Sequence, residues 1–477
     1  MARQRAVPSI DTEFLGARLG DARLDQRLLR IAGSLEADPA GGFPRAMGSE
    51  AELEGFYRFI NNDSFRAEDV LAPHVSLTLA RASLAKEVVV VHDTTPVEYG
   101  DSAPREGLGW TTSGGRQGFF AHVSLVLDMS GLPLGVSRVE TLTRSGTKQR
   151  ARKQSHKVVR DDPRRESLRW LRGVDHIEDA REDHFEAVHV TDAEGDFFEL
   201  LGTLYEGDAR FVIRAGQLDR RIAVDGGAVP LRDLVDQITP RAFRDVELSA
   251  RKHAKHAPRA NRIKHPDRRG RVARLAVGAT TITIQKTKYS DFAAEPFDVH
   301  VVRVWDPAPP AGEPPVEWVL LTTEPVATPD DLGRIVDIYR LRWTIEEYFK
   351  ALKTGCSLEK RQVESYDALR NVFALFVPIA YRLLLLRALH RRAPDAEVSC
   401  GFTPTELHLM ANAPSNRGLP PARTLQDGLR HLARLGGHLK NNGDPGWLTL
   451  ARGYEKLLLL HLGWTLAQQA NGRCDQS

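Results

Sequence analysis

Val88-Val89-Val90-Val91 is an unbroken β-branched run, a composition that strands accept readily and helices less so. It opens a stretch in which the hydrophobic period switches from helical to strand-like. Phe119 to Leu127 and Val136 to Leu142 read as two more strands, a helix follows around Glu166 to Arg172, and Ala187 to Thr191 is a further strand. A helix near Phe197 to Tyr205 and the strand Phe211 to Ile213 complete the series. This alternation predicts a mixed α/β layer fold. Residues 216–315 interrupt the order with short strands, Ala279 to Gln285 and Val299 to Trp305, between polar and proline-rich connections, and read as a β-rich insertion. The order resumes with the strand Val316 to Thr322, after which the chain is helical to residue 477.

At about 150 residues per domain, 477 residues make roughly three structural units. Sixty-six Lys and Arg against 63 Asp and Glu leave a formal charge of +3. A polycation of histone type is thereby excluded, and any basic function must be local. Cys356, Cys400 and Cys474 are odd in number and far apart, which fits a reducing compartment better than a disulfide framework. The N-terminal residues lack the apolar core of a secretory signal, so a cytoplasmic protein is expected. Val372 to Leu389 is the most apolar stretch, but Pro378, Arg382 and Arg387 interrupt it. It reads as a buried helix, and no membrane partner is expected.

Residues 1–80 look helical. Leu24, Leu28, Ile31 and Leu35 repeat at helical spacing, and Arg23, Arg27 and Arg30 run one residue ahead as a parallel basic stripe. That stripe suits phosphate contacts, although a solvated arginine face is the more ordinary reading. Ser49-x-x-Glu52 ahead of Leu53, Phe56, Tyr57 and Ile60 has the form of a helix-capping box. Arg251 to Arg274 carries ten Lys and Arg residues with His253, His256 and His265 against the single acid Asp267. This block is either a nucleic-acid contact or a flexible loop. A metal site is disfavoured there, because no cysteine or acidic partner accompanies the histidines.

Two strands end in acids: Val88 to Val91 runs through His92 into Asp93, and Val188 to Val190 through Thr191 into Asp192. Carboxylates at strand ends project into the crevice beside a sheet, where a hard cation can bind, while capping or solvated aspartates are the commoner use of such positions. The segment Tyr339 to Gly355 reads as one helix. On an ideal helix Tyr339, Arg342, Glu346, Lys350 and Lys353 fall at about 0, 300, 340, 20 and 320°, so they share a face. Ile338, Leu341, Ile345, Phe349 and Leu352 make the adjoining apolar stripe, and Gly355 is placed as a stop. The alternative is an exposed helix laced by ion pairs.

The spacing Tyr339-x2-Arg342-x3-Glu346-x6-Lys353 resembles the signature of the insertion-sequence-four family of bacterial DDE transposases. The likeness extends through Arg342-Trp343-x-Ile345-Glu346-Glu347, through His92-Asp93-Thr94-Thr95 and through Thr191-Asp192. Leu19-Gly-Asp-Ala-Arg23 and Tyr57-Arg-Phe-Ile60 look like that family's N-terminal DNA-binding domain, and Ala433-Arg-Leu-Gly-Gly437 resembles its C-terminal region.

The resemblance implies a ribonuclease H-like catalytic core at 81–215 and 316–390, interrupted by the insertion at 216–315. A helical DNA-binding domain at 1–80 precedes it, and a helical region at 391–477, serving dimerisation, follows. Asp93, Asp192 and Glu346 would hold two divalent ions, normally Mg2+ with Mn2+ as a substitute. Tyr339, Arg342 and Lys353, with Lys350 as a weaker candidate, would hold phosphates near the cleaved end. By the same resemblance Trp318 would receive a base flipped from a DNA hairpin and Trp343 would fill the space it vacates, although a tryptophan in an apolar strand is more often core. The implied activity is cut-and-paste transposition in the bacterial cytoplasm, at the nucleoid. A homodimer would bind the element's terminal inverted repeats, cut them and join them to target DNA. The alternatives are a metal-dependent nuclease without strand transfer and a DNA-binding protein without catalysis.

Overall fold

The computed structural model describes residues 7–100, 104–111, 116–144, 165–182, 184–224, 227–248, 250, 267–285, 295–313, 315–439 and 445–474. The chain forms two compact units. One comprises Met1–Lys86, Thr94–Arg152 and Thr344–Ser477, the other Glu87–Asp93 and Lys153–Trp343. Helices and a large mixed sheet make this an α/β protein.

The first unit opens with five helices: α1 (Ile10–Phe14), α2 (Ala22–Ala37), α3 (Phe43–Met47), α4 (Glu50–Ile60) and α5 (Ala67–Ala85). On α2, Leu28, Ile31 and Leu35 are buried, as their spacing predicts. Ser49 caps α4 by accepting from Glu52 N at 3.3 Å, and Phe56 and Ile60 are buried below it. Strand β1 (Glu87–Tyr99) begins in the second unit and passes into the first at Thr94. There it neighbours β3 (Gln117–Asp128), which also pairs with β2 (Gly109–Trp110) and β4 (Pro133–Leu142).

The second unit carries α6 (Leu168–Arg181), β5 (Glu186–Thr191), α7 (Phe198–Glu206), β6 (Arg210–Arg214), β7 (Arg221–Val224), β8 (Gly227–Pro230) and α8 (Leu231–Asp236). It continues with β9 (Ala242–Leu248), β10 (Arg271–Ile284), β11 (Phe297–Trp305), β12 (Glu317–Thr322) and α9 (Pro329–Leu341). β1, β5 and β6 are parallel neighbours, with Val91 opposite Val190 and Val190 opposite Val212. β12 joins β6 antiparallel, and β11, β10 and β9 follow antiparallel outward. Parallel strands inside a sheet are buried on both faces, and Val88 to Val91 are all 0% exposed. Leu200, Leu204, Phe211, Ile213, Val301 and Leu321 belong to one core beneath these strands. The strands within residues 216–315 divide accordingly: β9 to β11 extend the sheet that β12 begins, and β7 and β8 form a separate hairpin. Residues 251–266 of the basic block lie outside the described residues. Its end belongs to β10, where Arg271 is paired with Asp306 and Glu313 and Arg274 lies over the Phe243 ring.

After α9 the chain makes α10 (Trp343–Lys350), a π-helical turn (Ala351–Gly355), α11 (Tyr366–Arg392), α12 (Pro404–Asn412), α13 (Leu425–Leu435) and α14 (Trp447–Cys474). Among the described residues α11 is the one helix long and apolar enough to cross a membrane, and it is mostly buried. Its interior is the buried helix that its sequence predicts. Arg382, within it, is 6% exposed and paired with Glu36 of α2. Further ties join the N-terminal helices to the C-terminal part of the same unit: Asn371 donates to Ile60 O (2.9 Å), Arg370 meets Glu68 (2.6 Å) and Arg45 meets Glu455 (2.9 Å).

The continuous helix expected over Tyr339 to Gly355 is not formed. It breaks at Arg342, whose N–H reaches back three residues to Tyr339 O (3.1 Å) instead of four. It widens again at Ala351, where Cys356 N bonds Ala351 O five residues back at 2.9 Å. A tight turn and a π-turn each change the rotation per residue from the ideal 100°, so one regular helix does not run from Tyr339 to Gly355.

Candidate active site

In the second unit the register of β1 and β5 sets up the site. Val91 faces Val190, and the backbone stays extended through Asp192 (φ −79°, ψ −168°). Two residues beyond that pair come Asp93 and Asp192, on neighbouring strands about 4.8 Å apart. Side chains alternate along a strand, so both acids share the face of Val91 and Val190.

Asp192 caps the short turn Ala193–Gly195, its Oδ1 accepting from Glu194 N at 2.9 Å. That turn is anchored by Asp196, which is 2% exposed and accepts from Gly216 N and Gln217 N, both at 2.8 Å, and from Arg220. Two glycines permit the close approach. A Cβ on Gly195 would stand 2.1 Å from Thr191 Oγ1, and one on Gly216 2.7 Å from Ala193 O. Asp196 was not picked out from sequence, although its spacing in Asp192-Ala-Glu-Gly-Asp196 is a usable signal.

Asp93 Oδ2 lies 3.7 Å from Arg342 Nη1. Arg342, at the helix break, is 6% exposed, and its guanidinium carbon sits 4.4 Å from the centre of the Trp343 ring. Trp343 is 45% exposed. Tyr339 and Trp318 pack together, with ring centres 5.6 Å apart, and are 1% and 8% exposed. Burial raises the Tyr339 phenol above its ordinary value, against the opposing charges of Arg342 and Arg214. The described conformation thus shows these two aromatics packed as core.

The remaining predicted residues lie in the first unit. Glu346 is partly buried on α10. Its neighbour Glu347 is paired with Lys350 (2.8 Å) and Arg387 (3.4 Å). Burial pulls the Glu347 carboxyl upward, but the Lys350 hydrogen bond and the Arg387 charge outweigh it and hold the group below its ordinary value. Lys353, on the π-turn, donates to Pro96 O and lies 3.3 Å from Glu359. The arginine stripe of α2 divides: Arg23 is exposed beside Asp21 (3.1 Å) and Arg30 is exposed, whereas Arg27 donates to Gly55 O of α4 at 3.2 Å.

Sequence reasoning passed over the layer on the other face of β1 and β5. His92 and His189 are both 0% exposed, with His92 Nε2 2.9 Å from His189 Nδ1 and His189 Nε2 2.9 Å from Glu178 Oε1 of α6. The available signal was an imidazole in each of two valine-rich strands.

Carboxylate oxygens are the hard donors that a small divalent cation selects, so Asp93 and Asp192 fit such an ion chemically. Among the described residues no group of three or more His, Cys, Asp or Glu side chains stands close enough to hold a metal. Asp93 is instead beside Arg342, and Asp192 is engaged by Glu194 N.

A family model described as Transposase DNA-binding matches residues 9–65, covering α1 to α4. A second, described as Transposase DDE domain, matches residues 84–377, from the last turn of α5 into α11 and more than half of the chain. This chain belongs to the DDE-domain transposases, enzymes that cleave and transfer DNA, with a transposase DNA-binding domain ahead of the catalytic one.

Proposed function

We propose that this is a cut-and-paste transposase of the insertion-sequence-four type, with a ribonuclease H-like core that binds the terminal inverted repeats of its element, cuts them and joins them to target DNA. The observation that carries the reading is the register of β1 against β5, which places Asp93, inside β1, level with Asp192, just past the end of β5; the expected strand end at Asp93 is not formed, because β1 runs on to Tyr99. DDE transposase domains generally use divalent metals. Here Asp93, Asp192 and Glu346 are the proposed ligands, for two Mg2+ ions or Mn2+ in their place. Held there, the ions would supply Lewis-acid stabilisation of the attacking and departing oxygens in an in-line phosphodiester displacement.

The chain's own cations complete the site in this reading. Arg342 engages phosphate oxygens through its planar fork, and Lys353 and Lys350 supply mobile point charges. Tyr339 adds a phenolic donor. Trp318 receives the base flipped out of a hairpin intermediate and Trp343, already exposed, takes the vacated space. Both roles for Tyr339 and Trp318 require them to come out of the packed arrangement that the free chain shows. Arg23, Arg27 and Arg30 are the proposed backbone contacts of the N-terminal domain. A homodimer is supported by α14, which exposes Leu459, Leu460 and Trp464, apolar side chains of the kind that a partner covers.

The test is end cleavage and joining with a duplex taken from the DNA bordering the gene. Asp93→Asn and Asp192→Asn should each bind that duplex and fail to cut it in Mg2+. Cutting at the normal rate by either variant rejects the assignment. Release of ends that are never joined to a plasmid would instead identify a nuclease.

A further inference from the structure

The imidazole pair under the acids is built with direction. His92 and His189 stack at 19° with ring centres 5.2 Å apart, and Glu178, which takes the next hydrogen bond, is held by Arg181 at 2.7 Å. Burial pulls the Glu178 carboxyl upward, but the hydrogen bonds from His189 and Arg181 prevail and keep it below its ordinary value. A carboxylate only accepts, so His189 donates through Nε2. In its neutral tautomer His189 then accepts at Nδ1 from His92 Nε2–H. The chain of bonds runs one way, from β1 through β5 to α6.

Leucine or valine at positions 92 and 189 would fill this layer and leave Glu178 to Arg181 alone, and replacing buried polar groups by apolar ones of similar size is often neutral or stabilising. What the imidazoles add is discrimination between registers. The apolar side chains of β1 and β5 are nearly all valine, and such runs pack passably when slipped. A slip of one residue turns every side chain to the other face, and a slip of two carries Asp93 about 6.6 Å along from Asp192. In the observed register His189 stands opposite Val90, and His92 reaches it along the diagonal at 2.9 Å; with this bond made, the two acids lie abreast on the opposite face.

We propose that His92, His189 and Glu178 are positioning residues, a register lock that holds Asp93 beside Asp192 so that both carboxylates can reach one divalent cation. The proposal rests on the metal-binding role given above to the two acids. It is tested by titrating the full-length, DNA-free protein with Mn2+, free ion being read by electron paramagnetic resonance, alongside thermal melts. His92→Leu/His189→Leu should melt at the wild-type temperature or above while losing about tenfold or more in Mn2+ affinity, the usual cost of disturbing a ligand's support. His189→Gln keeps an acceptor toward His92 and a donor toward Glu178, and should recover most of that affinity. Glu178→Leu, on α6, breaks the chain without altering either strand and should lose affinity in the same direction. If the double variant folds and binds Mn2+ as the wild type does, the lock is wrong. If it does not fold, unchanged binding by Glu178→Leu overturns the lock equally. Asp93→Ala separates the two levels: should it bind Mn2+ as well as wild type, the metal assignment fails whatever the histidine variants show.

Discussion

Arg342 holds its guanidinium 3.7 Å from the Asp93 carboxylate while resting on the face of Trp343. A cation arriving at Asp93 meets a positive charge already there, so in the DNA-free protein Arg342 competes with metal. Arg342→Gln should raise Mn2+ affinity about tenfold, or ~1.4 kcal/mol, by paramagnetic resonance titration. The same change should flatten the dependence of log DNA affinity on log salt by roughly 0.9 for the lost phosphate contact. Weaker Mn2+ binding would show that Arg342 supports the site instead of competing for it.

Glu346 and Glu347 are adjacent acids with different employment. Glu347 is committed to Lys350 and Arg387, so Glu347→Gln should cost roughly 0.5–1.5 kcal/mol of stability and leave cleavage near normal. Glu346→Gln should abolish cleavage and joining with end binding intact. Comparable cleavage by Glu346→Gln and wild type in Mg2+ would remove it from the ligand set.

The arginines of α2 should separate in a salt titration followed by fluorescence anisotropy. Arg23→Gln and Arg30→Gln each remove an exposed charge and should each lower the salt slope by roughly 0.9. Arg27 holds the Gly55 carbonyl, so Arg27→Gln should show its larger effect in the thermal melt. An unchanged slope in the Arg23/Arg30 double variant would make this stripe a solvated surface.

Trp318 is 8% exposed, and Trp318→Ala should cost about 3–5 kcal/mol by cavity formation, too much for a clean kinetic reading. Trp318→Leu and Trp318→Phe are the informative pair. If Trp318 receives a flipped base, both nick the first strand normally, but the leucine variant forms hairpins slowly and the phenylalanine variant does so nearly at the wild-type rate. Equal hairpin rates in the two would leave Trp318 a core residue alone.

Acid should loosen the N-terminal helices through Glu13. This carboxyl is 0% exposed, hydrogen-bonded to His74 Nδ1 at 2.5 Å and paired with Arg81. Burial raises its pKa, but His74 and Arg81 together bring it below the ordinary 4.5. A folded value below the unfolded one means stability that is present above about pH 4.5 and lost as pH falls through the folded value. Melts between pH 7 and 3 should show wild type well above Glu13→Gln at neutral pH and the gap closing in acid. A constant gap would locate the acid-sensitive group elsewhere.

Local composition by itself determined the buried strand Val88 to Val91, the Ser49 cap, the apolar faces of α2 and α4 and the burial of α11. Each depends on the spacing of neighbours within a turn or two, and solvent exclusion acts on that spacing directly. Asp192 was legible as a strand end, whereas the strand of Asp93 runs on to Tyr99, and the motif around Glu346 was legible as a resemblance. Tertiary structure alone decided which groups meet. Arg27 is pinned to Gly55 while Arg23 and Arg30 face water, Tyr339 is buried against Trp318, and β9 to β11 lengthen the sheet. His92 finds His189 and Glu178 across two strands and a helix. The helix breaks at Arg342 and Ala351 belong to the same class, because a periodic pattern reports the average exposure of a segment. Hydrogen-bond partners are set by strand register and by contacts between residues about a hundred positions apart, which no local period encodes.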